Sequence, residues 1–172
     1  INQYKYDRDP KEKLYAFKQR CLVHFAVDTE QVFMTTRLEG KDTFFLPFNL
    51  GNNHGAGNPA VEGNVRTSYL WNDVLTRASL LEVISRFMHL QIEEKTVATA
   101  KGLKHHTKET MIFPRYHQLD VVRKLVAHAK ANGSGRNYLI QHSAGSGKSN
   151  SIAWLAHRLS SLHDANDEKI FH

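Results

Sequence analysis

Between Tyr138 and Leu162 the chain runs from a short apolar stretch, through a glycine-rich turn, onto one apolar helical face. Few folds accommodate that order. Tyr138-Leu139-Ile140 is β-favouring and apolar, which predicts a buried parallel strand. Ile152, Leu155, Leu159 and Leu162 recur at three and four residues, the spacing of a helix face. Between them lies His142-Ser-Ala-Gly-Ser-Gly-Lys-Ser-Asn150. A strand, a Gly-rich loop, Lys-Ser and a helix together let backbone N–H groups and a helix N-terminus hold a polyphosphate. The reading assigns phosphate contacts to Gly145, Ser146, Gly147, Lys148 and Ser149, with ATP as the nucleotide. Lys148 would reach the β- and γ-phosphates, and the Ser149 hydroxyl would ligate Mg²⁺. The first glycine of the usual pattern is His142 here, so the strict motif fails by one position. The competing reading is a Gly/Ser turn with a solvated lysine.

A helix is predicted just upstream. Pro114 suits a first helical turn, and Leu119, Val122, Leu125, Val126 and Ala129 form its buried face. Gly133 after Asn132 suits its C-terminal stop. Arg115-Tyr-His-Gln118 heads this helix, about twenty residues before the apolar stretch. A neutral amide donates and accepts at once, so Gln118 can match the N6/N7 edge of adenine. Arg115 and Gln118 are therefore the candidate adenine-binding residues. A solvated helix start is the plainer alternative.

Residues 1–20 carry Lys5, Arg8, Lys11, Lys13, Lys18 and Arg20 against Asp7, Asp9 and Glu12, and read as a polar helix end and a loop broken at Asp9-Pro10. The whole chain has a net charge of +6, which permits nucleic-acid binding and equally fits a solvated basic face. The single cysteine, Cys21, excludes an intrachain disulfide framework, fits a reducing compartment and reads as a small buried side chain. No signal peptide or membrane span is visible, so a cytoplasmic protein is expected.

Strands are predicted at 22–27 and 32–38, joined by a turn at Asp28-Thr-Glu-Gln31, with a third at 43–46 ended by Pro47. Residues 49–64, with Gly51, Gly55, Gly57, Gly63 and five Asn, predict an irregular loop. Trp71, Val74, Leu75, Ala78, Leu81, Ile84, Phe87 and Met88 predict one helix over 69–90 with an ordinary core stripe. Residues 91–110 are polar and Lys-rich (Lys101, Lys104, Lys108) and predict a linker or hairpin.

Three further constellations have plainer readings than chemistry. Asp28 with Glu39-Gly-Lys41 has the spacing of a Mg²⁺-dependent nuclease, yet both ends fall in predicted turns where nothing holds them together. His105 and His106 lack nearby ligands at zinc-like spacing. His142 and His157 read as packing or surface residues.

Long strings of the chain carry a resemblance. Phe113-Pro-Arg-Tyr-His-Gln-Leu-Asp120 and residues 138–159 resemble the R (restriction) subunit of type I restriction–modification enzymes. So do Leu22–Asp28, Phe45–Asn49, Gly55–Pro59 and Thr67–Trp71. The resemblance implies an α/β chain. Its residues 1–92 would be the C-terminal part of a PD-(D/E)xK nuclease domain and 93–110 a linker. Residues 111–172 would open a RecA-like superfamily-2 motor domain with its strand, phosphate loop and helix. Gly145, Gly147, Lys148 and Ser149 match helicase motif I, and Arg115 and Gln118 match the adenine-reading Q-motif. The implied activity is ATP- and Mg²⁺-dependent translocation of double-stranded DNA followed by cleavage of unmethylated DNA, with methylation (M) and specificity (S) subunits as partners. The nuclease carboxylates and lysine are expected upstream of Ile1, and the family's Gln-x-x-x-Tyr motif is met only approximately by Gln3 with Tyr6 or Asp7. Neither set of acidic metal ligands is present, so these residues alone are expected to be an inactive piece of the intact subunit. The alternatives are another superfamily-2 DNA ATPase, or a non-catalytic DNA-binding module with a vestigial phosphate loop.

Overall fold

The computed structural model describes residues 1–53, 55–99, 102–164 and 166–171. The chain is a mixed α/β protein with two small antiparallel sheets and a few helices. It divides into two units, one formed by 1–48 and 60–113, the other by 49–59 and 114–172.

In the first unit, β1 (His24–Val27) and β2 (Val32–Thr35) pair antiparallel, with Val27 opposite Val32. The turn between them is held by Asp28, whose carboxylate accepts the N–H groups of Glu30 (2.7 Å) and Gln31 (2.8 Å). β3 (Leu46–Pro47) adds to the other edge of β2. It starts three residues later than expected and stops at once, since proline has no N–H to continue a ladder. The rings of Phe25, Phe48 and Phe113 meet at centroid distances of 5.3–6.2 Å and centre the core. Val32, Met34, Leu38, Leu70, Val74, Val83 and Phe87 are also buried. The two edge-to-face pairs, Phe25 with Phe48 and Phe25 with Phe113, add to what burial alone supplies.

The single helix expected over 69–90 is two pieces: a π-helical turn (Leu70–Val74) and α1 (Arg77–Arg86). Thr76 between them has extended backbone (ψ 152°), and its side chain caps α1 by accepting the Ser79 N–H. That break shifts the phase of the apolar stripe. Leu70, Val74, Val83 and Phe87 are buried, whereas Trp71, Leu81 and Ile84 are exposed despite fitting one uninterrupted face. β4 (His89–Thr99) and β5 (Gly102–Ile112) then form an antiparallel ribbon, with His89 opposite Ile112 and Thr99 opposite Gly102. Residues 93–99 and 102–110 lie along its arms, where Glu93 faces Lys108. Lys101, counted in the Lys-rich stretch, is outside the described residues.

In the second unit, α2 (Tyr116–Asn132) buries Leu119, Val122, Leu125, Val126 and Ala129, as its periodicity predicts. Pro114 precedes the N-cap Arg115 rather than lying in the first turn. Gly133 (φ 72°) ends the helix with its N–H on Ala129 O, a backbone shape that glycine adopts without strain. The 49–59 loop of this unit is organised by Asn58, which accepts the Leu50 N–H and donates to the Asn49 side chain.

The strand expected at Tyr138-Leu139-Ile140 is not formed. Its backbone is irregular and Leu139 is 96% exposed. A parallel strand is stable only between neighbours that complete its ladder, and no strand among the described residues pairs with it. α3 (Lys148–Ser160) follows the glycine turn. It buries Trp154 and leaves Ile152 exposed, so the Ile152-Leu155-Leu159 stripe is only partly covered. Beyond α3 the chain folds back, with Ile170 N–H on Leu162 O, and Ile170-Phe171 is not a strand.

Candidate functional site

The glycine turn is built by two left-handed residues. Gly145 has φ 70°, and Gly147 has φ 78°, ψ 34° and is the N-cap of α3. No residue but glycine takes these angles without cost. His142 is not among the non-glycine residues with positive φ, so the departure from the usual motif meets no backbone strain at that position. Lys148 and Ser149 are the first two residues of α3, and their N–H groups have no partner within the helix. Ser146 is 5% exposed, and its hydroxyl has no hydrogen-bond partner among the described residues. A buried hydroxyl left unpaired costs free energy, and the Ser151 hydroxyl in α3 is likewise buried without a partner among the described residues. The Lys148 ammonium folds back over the loop and donates to His142 O (3.3 Å) and Ser143 O (3.0 Å). Ser149 is exposed at the mouth of the helix.

The first turn of α2 is docked against this loop. Arg115 donates from its guanidinium to Gly145 O (2.9 Å), His117 from Nε2 to Ser146 O (3.0 Å), and Gln118 from Nε2 to Gly147 O (2.8 Å). Three successive loop carbonyls are thus held by three side chains about thirty residues away in sequence. The other end of the Gln118 amide accepts the Arg115 N–H (2.8 Å). Both partners dictate the orientation of that amide, since an N–H can only donate and a carbonyl only accept. Approach is close: a methyl group on Gly147 would lie 2.5 Å from Gln118 Nε2.

Arg115 and Gln118, singled out in the sequence, are therefore brought to the phosphate-loop candidates, but in a different posture from the one expected. Gln118 is 3% exposed and both ends of its amide are occupied, so no donor–acceptor edge is presented to a base. Sequence reasoning misses His117 altogether. Its ring also meets that of His142 edge to face at 4.8 Å. Burial pushes the His117 imidazole below its ordinary value of 6.5; the Ser146 contact opposes this, and the neighbouring Arg115 and His142 reinforce it. The ring is then neutral at neutral pH, and the carbonyl partner requires the tautomer protonated on Nε2.

Behind the loop, Val121, Val122, Leu125, Ile140, Ile152 and Leu155 line an apolar cleft of about 160 Å³. The other constellations in the first unit make local contacts. Asp28 is occupied by its own turn, which holds its carboxyl below the usual range, and Glu39 pairs with Arg37 (3.2 Å). His105 faces Thr96 Oγ1 (3.0 Å), and half-buried Cys21 donates to Val23 O. Gln3 belongs to a π-helical turn, Gln3–Asp7. Among the described residues no group of three His, Cys, Asp or Glu could hold a metal ion, and no helix is long and apolar enough to cross a membrane. No family model matches the chain, and no curated protein or solved structure was found to be similar to it.

Proposed function

We propose that the second unit binds the polyphosphate of ATP, and that the chain belongs to an ATP-dependent enzyme that translocates and cleaves DNA, similar to the R subunit of type I restriction–modification enzymes. One observation carries the nucleotide reading: Arg115, His117 and Gln118 converge on the carbonyls of Gly145, Ser146 and Gly147, at the N-terminus of α3. A solvated glycine turn has no use for three tethers.

In this reading the loop N–H groups and the α3 N-terminus meet the phosphates. Lys148 exchanges its two loop carbonyls for phosphate oxygens, a charge-assisted contact stronger than the neutral ones it leaves. Ser149, exposed at the start of α3, would hold Mg²⁺ through its hydroxyl together with substrate phosphates. When bound, the ion would neutralise charge on the transferred phosphoryl group. Adenine reading by Gln118 requires its amide to leave Gly147 and the Arg115 N–H, so base recognition and loop tethering compete for one side chain. The nuclease assignment of the first unit, the double-stranded DNA substrate and the M and S partners rest on the string resemblance alone.

The test is ATP hydrolysis by the full-length protein, assembled with methylation and specificity subunits on unmethylated DNA. Lys148→Ala is expected to lower kcat on the order of a hundredfold or more, as loss of one preorganised electrostatic group does. Equal rates would exclude a motor built on this loop. Undiminished hydrolysis without the partner subunits would point instead to a different superfamily-2 DNA ATPase.

A further inference from the structure

The three tethers act on carbonyls, and a carbonyl fixes more than itself. In a planar trans peptide the C=O of one residue and the N–H of the next point in opposite directions. The chain has no cis peptide bonds among its described residues. Holding Gly145 O, Ser146 O and Gly147 O toward α2 therefore turns the N–H groups of Ser146, Gly147 and Lys148 away from it. The Ser146 N–H makes only a 3.3 Å turn contact to Ser143 O. Successive N–H groups aimed to one side form a nest for an anion. With positive φ at Gly145 and Gly147, this loop has few covalent restraints of its own and needs an external one.

We propose that His117 is a positioning residue for phosphate binding: its Nε2–H holds the Ser146 carbonyl and thereby sets the direction of the Gly147 N–H. The assignment deepens the nucleotide reading above and rests on it. His117 suits the task because its ring is fixed on a second side by His142, so the donor cannot swing away. Arg115 and Gln118 hold the flanking peptides in the same sense, which leaves the central one to His117 alone.

The experiment separates donation from packing. His117→Phe keeps a ring against His142 and removes the donor; His117→Gln removes the ring and keeps an amide N–H. Tripolyphosphate, which has no base, is titrated with Mg²⁺ against the full-length protein. His117→Phe is expected to weaken binding about tenfold, the worth of one net hydrogen bond, with His117→Gln recovering most of the loss. Melting temperatures taken alongside report folding. Wild-type affinity in His117→Phe, or equal loss in both variants, would overturn the positioning role while Lys148→Ala still abolishes binding. If wild type and Lys148→Ala alike fail to bind, the phosphate site itself is wrong and the role of His117 goes with it.

Discussion

The first unit is centred on aromatic rings that meet one another, whereas the second adds to its apolar α2 stripe a set of hydrogen bonds that hold a loop. In the first, Phe25, Phe48 and Phe113 close on each other, and Tyr69 OH anchors the Phe48 carbonyl at 2.6 Å. In the second, α2 buries its stripe, yet Leu139 and Ile152 face solvent and the α2–loop junction is polar. Apolar contacts are non-directional and tolerate small shifts. Hydrogen bonds to successive carbonyls dictate orientation to within tens of degrees. The first kind of assembly suits a scaffold, and the second suits a site in which the direction of an N–H matters.

The comparison can be broken most forcefully at Phe48. Phe48→Ala should destabilise the first unit by roughly 3–5 kcal/mol, because a fully buried ring leaves a cavity its neighbours cannot fill. Urea unfolding followed through Trp71, also in that unit, reads the loss; a midpoint shift worth under about 1 kcal/mol would mean the aromatic cluster is not the core. Next in size is Gln118→Leu, which keeps the volume and strands the Arg115 N–H. It should cost roughly 1–3 kcal/mol locally and accelerate amide hydrogen exchange at 144–149. Unchanged exchange there would show that the loop does not depend on its tethers.

The smallest effect distinguishes the units by pH. His24 in the first unit is buried between Tyr4 and Tyr15, and burial holds its imidazole below the ordinary 6.5. A histidine with a depressed folded value binds fewer protons folded than unfolded. Its contribution is therefore intact above pH 6.5 and is lost as pH falls from there through the folded value. His24→Phe should flatten that part of the stability curve between pH 7 and 5, while His117→Phe removes the corresponding part from the second unit. A first-unit curve with the same slope in wild type and His24→Phe would assign the pH dependence to other groups.

Much of this was legible along the chain, because it depends on near neighbours. The β1–β2 turn follows from Asp28 accepting N–H groups two and three residues on. The buried face of α2 and its stop at Gly133 follow from helical spacing and from the freedom of glycine. Thr76 is where that logic failed. Spacing across 69–90 fits one stripe, but a capping threonine interrupts the helix and re-phases the turns beyond it, and hydrophobic periodicity does not register caps.

Local order along the chain was enough to place a glycine-built turn ahead of α3 and a buried stripe on α2, since both arise from backbone sterics and a repeat of 3.6 residues. Only the tertiary structure decided that Gln118 turns inward, that His117 takes part, and that Tyr138-Leu139-Ile140 forms no strand. The reason is reach: a tether spanning about thirty residues, or a ladder that needs another strand beside it, depends on which distant segment arrives, and no window of sequence contains that.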